Sequence, residues 1–138
     1  GASWGAVNAP LASGQAGAGI FSIAATGNTL VAVGGDYTRP DAREGVAAYS
    51  LDGGHVWFEP EIPPTGYRSA VASIPGLGGH FLAVGPNGSD LSRDGGRVWE
   101  GISEAGYNAI AFAPGSLAGW AVGTDGRIAR LTVRQGSE

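Results

Sequence analysis

The chain has no cysteine and no methionine, and all of its basic residues are arginine. Without cysteine there can be no disulfide staple, no thiolate metal site and no cysteine nucleophile. That absence fits any compartment, and the missing lysine reads as genome composition bias. Histidine occurs only as His55 and His80. Neither belongs to an H-x-x-x-H pair or a carboxylate cluster with ligand spacing, so neither a metal nor any other cofactor is expected. Charge is scarce: 14% of residues are charged and the net charge is −4. A nucleic-acid binder would normally carry a basic stripe, so that class is excluded. No apolar run approaches the roughly 18 residues of a membrane span. The first residues lack the basic start and apolar stretch of a signal peptide.

Glycine, by contrast, is abundant: 26 of 138 residues, with 8 prolines beside it. Each glycine inside a helix would cost about 1 kcal/mol, so long helices are excluded. Hydrophobic residues still make up 43% of the chain, and the mean hydropathy is +0.03, enough for a packed core. The length is that of one ordinary domain. A turn-rich, all-β chain is what remains.

An internal repeat organises it. Residues 50–57 read S-L-D-G-G-H-V-W and residues 92–99 read S-R-D-G-G-R-V-W, 42 residues further on. Gly1-Ala2-Ser3-Trp4 matches the last four positions, G-x-x-W. Val31-Ala32-Val33-Gly34, Leu82-Ala83-Val84-Gly85 and Trp120-Ala121-Val122-Gly123 are three copies of one strand pattern. The segments opening at Gly19-Ile20, Gly66-Tyr67 and Gly106-Tyr107 are three copies of another. Each unit reads as strands a, b and c, a tight turn, then strand d. The expected spans are 20–25, 29–34, 46–51 and 56–58; then 67–73, 81–85, 89–92 and 97–100; then 107–112, 119–123 and 127–132. Four short strands per unit of about 40–45 residues predict β-propeller blades. The last blade lacks its outer strand. The blades divide as 17–60, 61–102 and 103–134, with 1–16 the end of a preceding blade and a linker. Ala24, Ala72 and Ala111 fall on strand a, where small side chains suit a crowded axis. A jelly roll or plain sandwich does not explain the repeated octapeptide.

The octapeptide has its own turn chemistry. Ser and Asp side chains hydrogen-bond turn amides, the glycines supply positive φ, and the Trp offers apolar area between blades. Asp52 and Asp94 are therefore expected to lock turns rather than to catalyse.

These octapeptides match the Asp-box, or bacterial neuraminidase repeat, at Ser50, Asp52, Gly54 and Trp57 and again at Ser92, Asp94, Gly96 and Trp99. The chain resembles Asp-box β-propellers, a group that includes sialidases, sortilin-type receptors, xyloglucan hydrolases and photosystem II stability/assembly-factor-like propellers. It is most similar to the last of these, through segments 19–24, 31–37, 66–69, 82–90 and 119–131. The resemblance implies a non-enzymatic scaffold for protein binding or complex assembly, exported to the periplasm or beyond. It also implies a C-terminal piece of a longer propeller, whose remaining blades, or other copies of the chain, would cover the open ends. The alternative is a sialidase-like or xyloglucanase-like glycoside hydrolase with catalytic residues partly in other blades. Sialidases need an arginine triad with a Tyr–Glu couple, and xyloglucanases need paired carboxylates. Arg39 and Arg68 are available, but a third arginine and a placed glutamate cannot be assigned. An oxidoreductase reading has no support, since no dinucleotide fingerprint joins a strand to a helix.

The repeat phase puts b–c and d–a loops on the face opposite the octapeptides, and binding is expected there. The first b–c loop is nine residues longer than the second. It is also densely polar, as functional loops on rigid scaffolds are. The expected contact residues are Asp36, Tyr37 and Arg39 from this loop, Tyr67 and Arg68 at the start of the second inner strand, and Asn87 and Asn108. For Arg68, gripping an anionic ligand and pairing with a neighbouring blade's carboxylate stand open as alternatives. A protein segment or a glycan suits this surface better than an apolar ligand.

Overall fold

A computed structural model describes residues 1–134 of the chain. Ten strands form three antiparallel sheets in sequence order. The first contains β1 (Ala18–Thr26), β2 (Thr29–Asp36) and β3 (Ala47–Ser50). The second contains β4 (Ala70–Ser73), β5 (Phe81–Gly85), β6 (Gly88–Ser92) and β7 (Trp99–Ser103). The third contains β8 (Ala109–Phe112), β9 (Ala118–Val122) and β10 (Ile128–Thr132). Each strand pairs with the next in its sheet, as blades require. Inner strand β4 lies against β1 on one side and β8 on the other, so the second blade sits between its neighbours.

The first blade departs from expectation. Its outer strand at 56–58 reduces to one bridge, in which Tyr49 and Phe58 exchange both backbone hydrogen bonds at 3.0 and 2.8 Å. The cause follows in the sequence. Pro60, Pro63 and Pro64 have no N–H to donate to a ladder. The chain instead crosses to the second blade, where Glu61 N–H bonds Arg97 O at 2.8 Å and Trp99 N–H bonds Ile62 O at 3.0 Å.

Inner strands β4 and β8 also begin later than expected. The residues before them bond to the preceding blade: Arg68 N–H to Gly34 O at 3.1 Å, and Tyr107 N–H to Gly85 O at 2.9 Å. This seam explains why the strand pattern ends in glycine. A Cβ at Gly85 would collide with the backbone carbonyl oxygen of Tyr67.

The core fills the space between the first two sheets with Val31, Val33 and Ala47 from one side and Val71, Phe81, Ala83 and Trp99 from the other. Gly96 has φ 92°, and a Cβ there would come within 2.8 Å of a Val31 methyl, so the second octapeptide turn lies directly on β2. Trp99 is thereby 4% exposed. Its counterpart Trp57 is half-buried, since among the described residues no further sheet packs on that side of the first blade.

Candidate functional site on the loop-rich face

The two octapeptides share one geometry. The hydroxyl of Ser50 donates to Asp52 Oδ1 at 2.9 Å and accepts from Gly54 N–H at 2.9 Å. Asp52 Oδ1 also accepts from His55 and Val56 N–H, each at 3.0 Å. Trp57 Nε1–H closes the turn on Gly54 O at 2.8 Å. Ser92 repeats both of its contacts, to Asp94 Oδ1 at 3.0 Å and from Gly96 N–H at 2.9 Å. Val98 N–H reaches Asp94 Oδ1 at 3.0 Å, and Trp99 Nε1–H reaches Gly96 O at 3.1 Å. The Val56 amide, then the Ser50 hydroxyl, hold the Asp52 carboxyl below its ordinary range. Both turns sit beside the a–b turns, with Gly53 N–H bonded to Asn28 O and Gly95 N–H to Gly79 O. The other loops occupy the opposite face.

On that opposite face Arg68 is fully buried. Its five N–H donors are all engaged. Nε and Nη2 reach Asp90 Oδ2 at 3.3 and 3.0 Å, and Nη2 also reaches Thr65 Oγ1 at 2.6 Å. Nη1 donates to Tyr67 O at 2.7 Å and to Asn87 Oδ1 at 2.8 Å. Asp90, also fully buried, accepts in addition from Thr65 N–H and Oγ1–H. Asn87 passes the chain on, donating to Pro40 O at 3.1 Å and Asp41 Oδ1 at 2.6 Å. Arg68 therefore pairs with a carboxylate of its own blade rather than of a neighbour. It has no donor left for a ligand, so the ligand-gripping alternative fails on geometry.

The same network changes the reading of the long loop. Tyr67 N–H bonds Pro40 O at 2.9 Å, and Arg43 donates to Pro63 O at 2.9 Å and Pro64 O at 3.2 Å. The loop is bolted onto the second blade through Pro40, Asp41 and Arg43. What it presents outward is Tyr37, 56% exposed, and Arg39, whose guanidinium has no partner among the described residues. Asp36 accepts from the Thr38 hydroxyl at 2.6 Å and Thr38 N–H at 2.9 Å. Those two bonds, with the Arg39 charge adding to them, lower its carboxyl below the ordinary value.

Phe21, absent from the expected set, joins these residues. Its ring meets Tyr67 edge-on at 5.1 Å and Tyr37 edge-on at 6.3 Å. A bulge between Ile20 and Ser22 turns it there. The repeat carries the signal, since Tyr67 and Tyr107 open the other inner strands. Tyr67 itself is buried, and that burial raises its hydroxyl pKa, with Tyr37 adding to it. Beside the cluster a groove of about 480 Å³ runs between the long loop and the segment at 10–15, lined by Leu11, Gln15, Asp36, Arg39, Glu44 and Glu59. A second hollow of about 640 Å³ lies over the buried network between Asp41, Asn87 and Glu104. Asn108 is exposed one blade on, near Thr124 and Arg127, and is not brought together with Tyr37 and Arg39. Among the described residues no group of three or more His, Asp or Glu side chains could hold a metal, and no helix is long and apolar enough to cross a membrane.

No family model matches the chain, and no curated protein does. Solved structures do match. Over 84% of its length the chain is similar to a structure of YCF48 bound to a D1 peptide, with a TM-score of 0.58 at 18% identity, and it spans 36% of that protein's length. That likeness is one of fold, and with the three consecutive antiparallel sheets it makes this chain a partial β-propeller.

Proposed function

We propose that the chain is a non-enzymatic propeller scaffold that holds an extended protein segment on its loop-rich face. The observation that carries this is the long loop. It is fixed to the second blade by five hydrogen bonds from Tyr67, Asn87 and Arg43, yet it leaves Tyr37 and Arg39 facing solvent beside Phe21. A rigid loop lowers the ordering cost of binding, and Tyr and Arg are the side chains that most often anchor interfaces. The peptide-bound state of YCF48 supports a peptide as the ligand class. The resemblance to photosystem II assembly-factor-like propellers supports assembly as the setting, and with it export to the periplasm or beyond. In this reading the octapeptides are Asp-boxes that brace the far face.

The test is a titration of the chain with fluorescently labelled extended peptides, the D1 peptide among them, followed by anisotropy. Saturable binding that weakens at least about tenfold in a Tyr37→Ala/Arg39→Ala variant, a loss of about 1.4 kcal/mol, is the expected result. Binding indifferent to both changes in a folded protein overturns the assignment.

A further inference from the structure

The second blade already carries an extended segment on its outer edge. β7 is the outermost strand of the blade that lies between two neighbours, so its edge looks away from both. The chain leading out of the first blade covers the start of that edge. Ile62 forms a parallel bridge with Val98, Glu61 N–H bonds Arg97 O at 2.8 Å, and Trp99 N–H bonds Ile62 O at 3.0 Å. Pro63 and Pro64 follow, with no N–H to continue the ladder. Beyond Trp99 no backbone hydrogen bond joins this segment to β7 among the described residues. The rest of the edge is open. Gly101 stands two residues past Trp99 in the same register against β6, so its N–H and C=O turn the same outward way. Gly101, Ile102, Ser103 and Glu104 are all exposed.

This stretch forms one wall of the 640 Å³ hollow, and Asp41, Thr65 and Asn87 form the others. The chemistry inside is one-sided. The Arg68–Asp90 pair beneath it is neutral as a unit and has every arginine donor engaged. Thr65 gives its hydroxyl hydrogen to Asp90, and Asn87 gives its amide hydrogens to Pro40 and Asp41. The charges that remain in the lining are the carboxylates of Asp41 and Glu104, and no cationic side chain lines it. Asp41 accepts from the neutral Asn87 amide, while Glu104 has no hydrogen bond or ion pair among the described residues. Ile102, 44% exposed, offers an apolar surface for an aliphatic stem.

We infer that the open half of β7 and this hollow together take an extended segment of a partner protein that carries a basic residue. Its main chain bonds the edge at Gly101, and its arginine or lysine side chain lies between Asp41 and Glu104. The inference rests on the peptide-binding reading of the loop-rich face and gives that peptide its chemistry. Asp41 belongs to the same long loop as Tyr37 and Arg39, so one segment passes from those two residues to the hollow. Strand addition takes its affinity from main-chain hydrogen bonds and its specificity from side-chain pockets. A guanidinium or ammonium supplies the donors and the positive charge that the lining lacks, in bonds that charge strengthens. The pocket is set in advance, because Arg68 holds Thr65 at 2.6 Å and Asn87 at 2.8 Å from beneath, and a preformed site lowers the ordering cost.

The test uses the whole chain and two short peptides of Ser, Thr and Val that differ only at the centre, arginine in one and its neutral isostere citrulline in the other. Anisotropy titration should favour the arginine peptide by about fivefold or more, the scale that two partly screened ion pairs supply. Asp41→Asn/Glu104→Gln should bring the two affinities together at an unchanged melting temperature. Glu104→Gln alone, which breaks no contact, should remove part of the preference. Hydrogen exchange at Gly101 should slow at saturation. Equal affinities in the parent, a preference that survives the double change, or unchanged exchange at Gly101 overturns the inference and leaves the peptide reading in place. A preference that persists in Tyr37→Ala/Arg39→Ala at full parent affinity does the opposite, supporting the hollow while removing the long loop's exposed pair. If neither peptide binds saturably, the inference is overturned, and the peptide reading answers to its own titration.

Discussion

Arg68 Nη2 and Asp90 Oδ2 meet at 3.0 Å with neither side chain reaching solvent. The pair joins the entry of the second inner strand to β6, and Thr65 and Asn87 complete its hydrogen bonds. Removing one partner strands the other as an uncompensated buried charge, which costs about 3–5 kcal/mol. Arg68→Ala and Asp90→Ala should each lower stability by that order in urea unfolding. The double change Arg68→Met/Asp90→Leu should cost clearly less than the two single losses added together, since no lone charge remains. Equal stability of Arg68→Ala and the parent would show that the pair does not hold the blade.

The two octapeptide turns predict unequal losses from equal substitutions. Ser50 and Ser92 are both fully buried, and each accepts from a glycine amide. Ser→Ala at either site leaves that amide unsatisfied and should cost about 1–3 kcal/mol. Their tryptophans differ. Trp99 lies in the core between blades, so Trp99→Ala should cost about 3–5 kcal/mol, while half-buried Trp57 should cost distinctly less. Thermal unfolding of the four variants decides the order. A Trp57→Ala loss as large as that of Trp99→Ala would contradict the packing.

Acid should weaken the fold through Asp36 and Asp52. Both carboxyls sit below their ordinary value of 3.8 because amide and hydroxyl donors favour the charged form. A depressed folded value means that the stabilisation is complete above the ordinary value and is lost as pH falls through the folded one. Asp52→Asn should flatten this acid limb relative to the parent, read as unfolding midpoints from about pH 5 down to about pH 2. Parallel limbs in the two proteins would remove Asp52 as a source.

The blade plan was legible because the patterns of strands a and b recur in all three units and the octapeptide turn recurs in the first two. The glycine of V-A-V-G and the Ser–Asp pair of each octapeptide hold one role wherever they recur. What escaped depends on long-range partners. Asp90 lies 22 residues from Arg68 in sequence, and nothing local marks a carboxylate in a strand as its ion-pair partner. Phe21 reaches the aromatic cluster through a one-residue bulge, which flips the face a side chain takes and leaves no trace in composition. Asp41 and Arg43 share the loop with Arg39, and a loop's own sequence does not say which of its charges a neighbouring blade consumes.

The final prediction separates binding from folding on the loop-rich face. Arg39 and Arg68 were equal candidates by residue type, but one is exposed and unpartnered and the other is buried with every donor engaged. Arg39→Ala should leave the melting temperature within the change typical of surface substitutions, about 0.5 kcal/mol, while weakening peptide binding. Its charge reversal, Arg39→Glu, should weaken binding to an acidic peptide further and relieve that for a basic one, because Asp36, Glu44 and Glu59 line the same groove. Conservative Asp90→Asn should do the reverse, lowering the melting temperature with the loop's contact residues intact. Calorimetric titration beside thermal unfolding on the same three proteins reads both quantities. Binding lost in Asp90→Asn below its melting range, with Arg39→Glu binding like the parent, would move the contact surface from the long loop to the hollow over the buried pair.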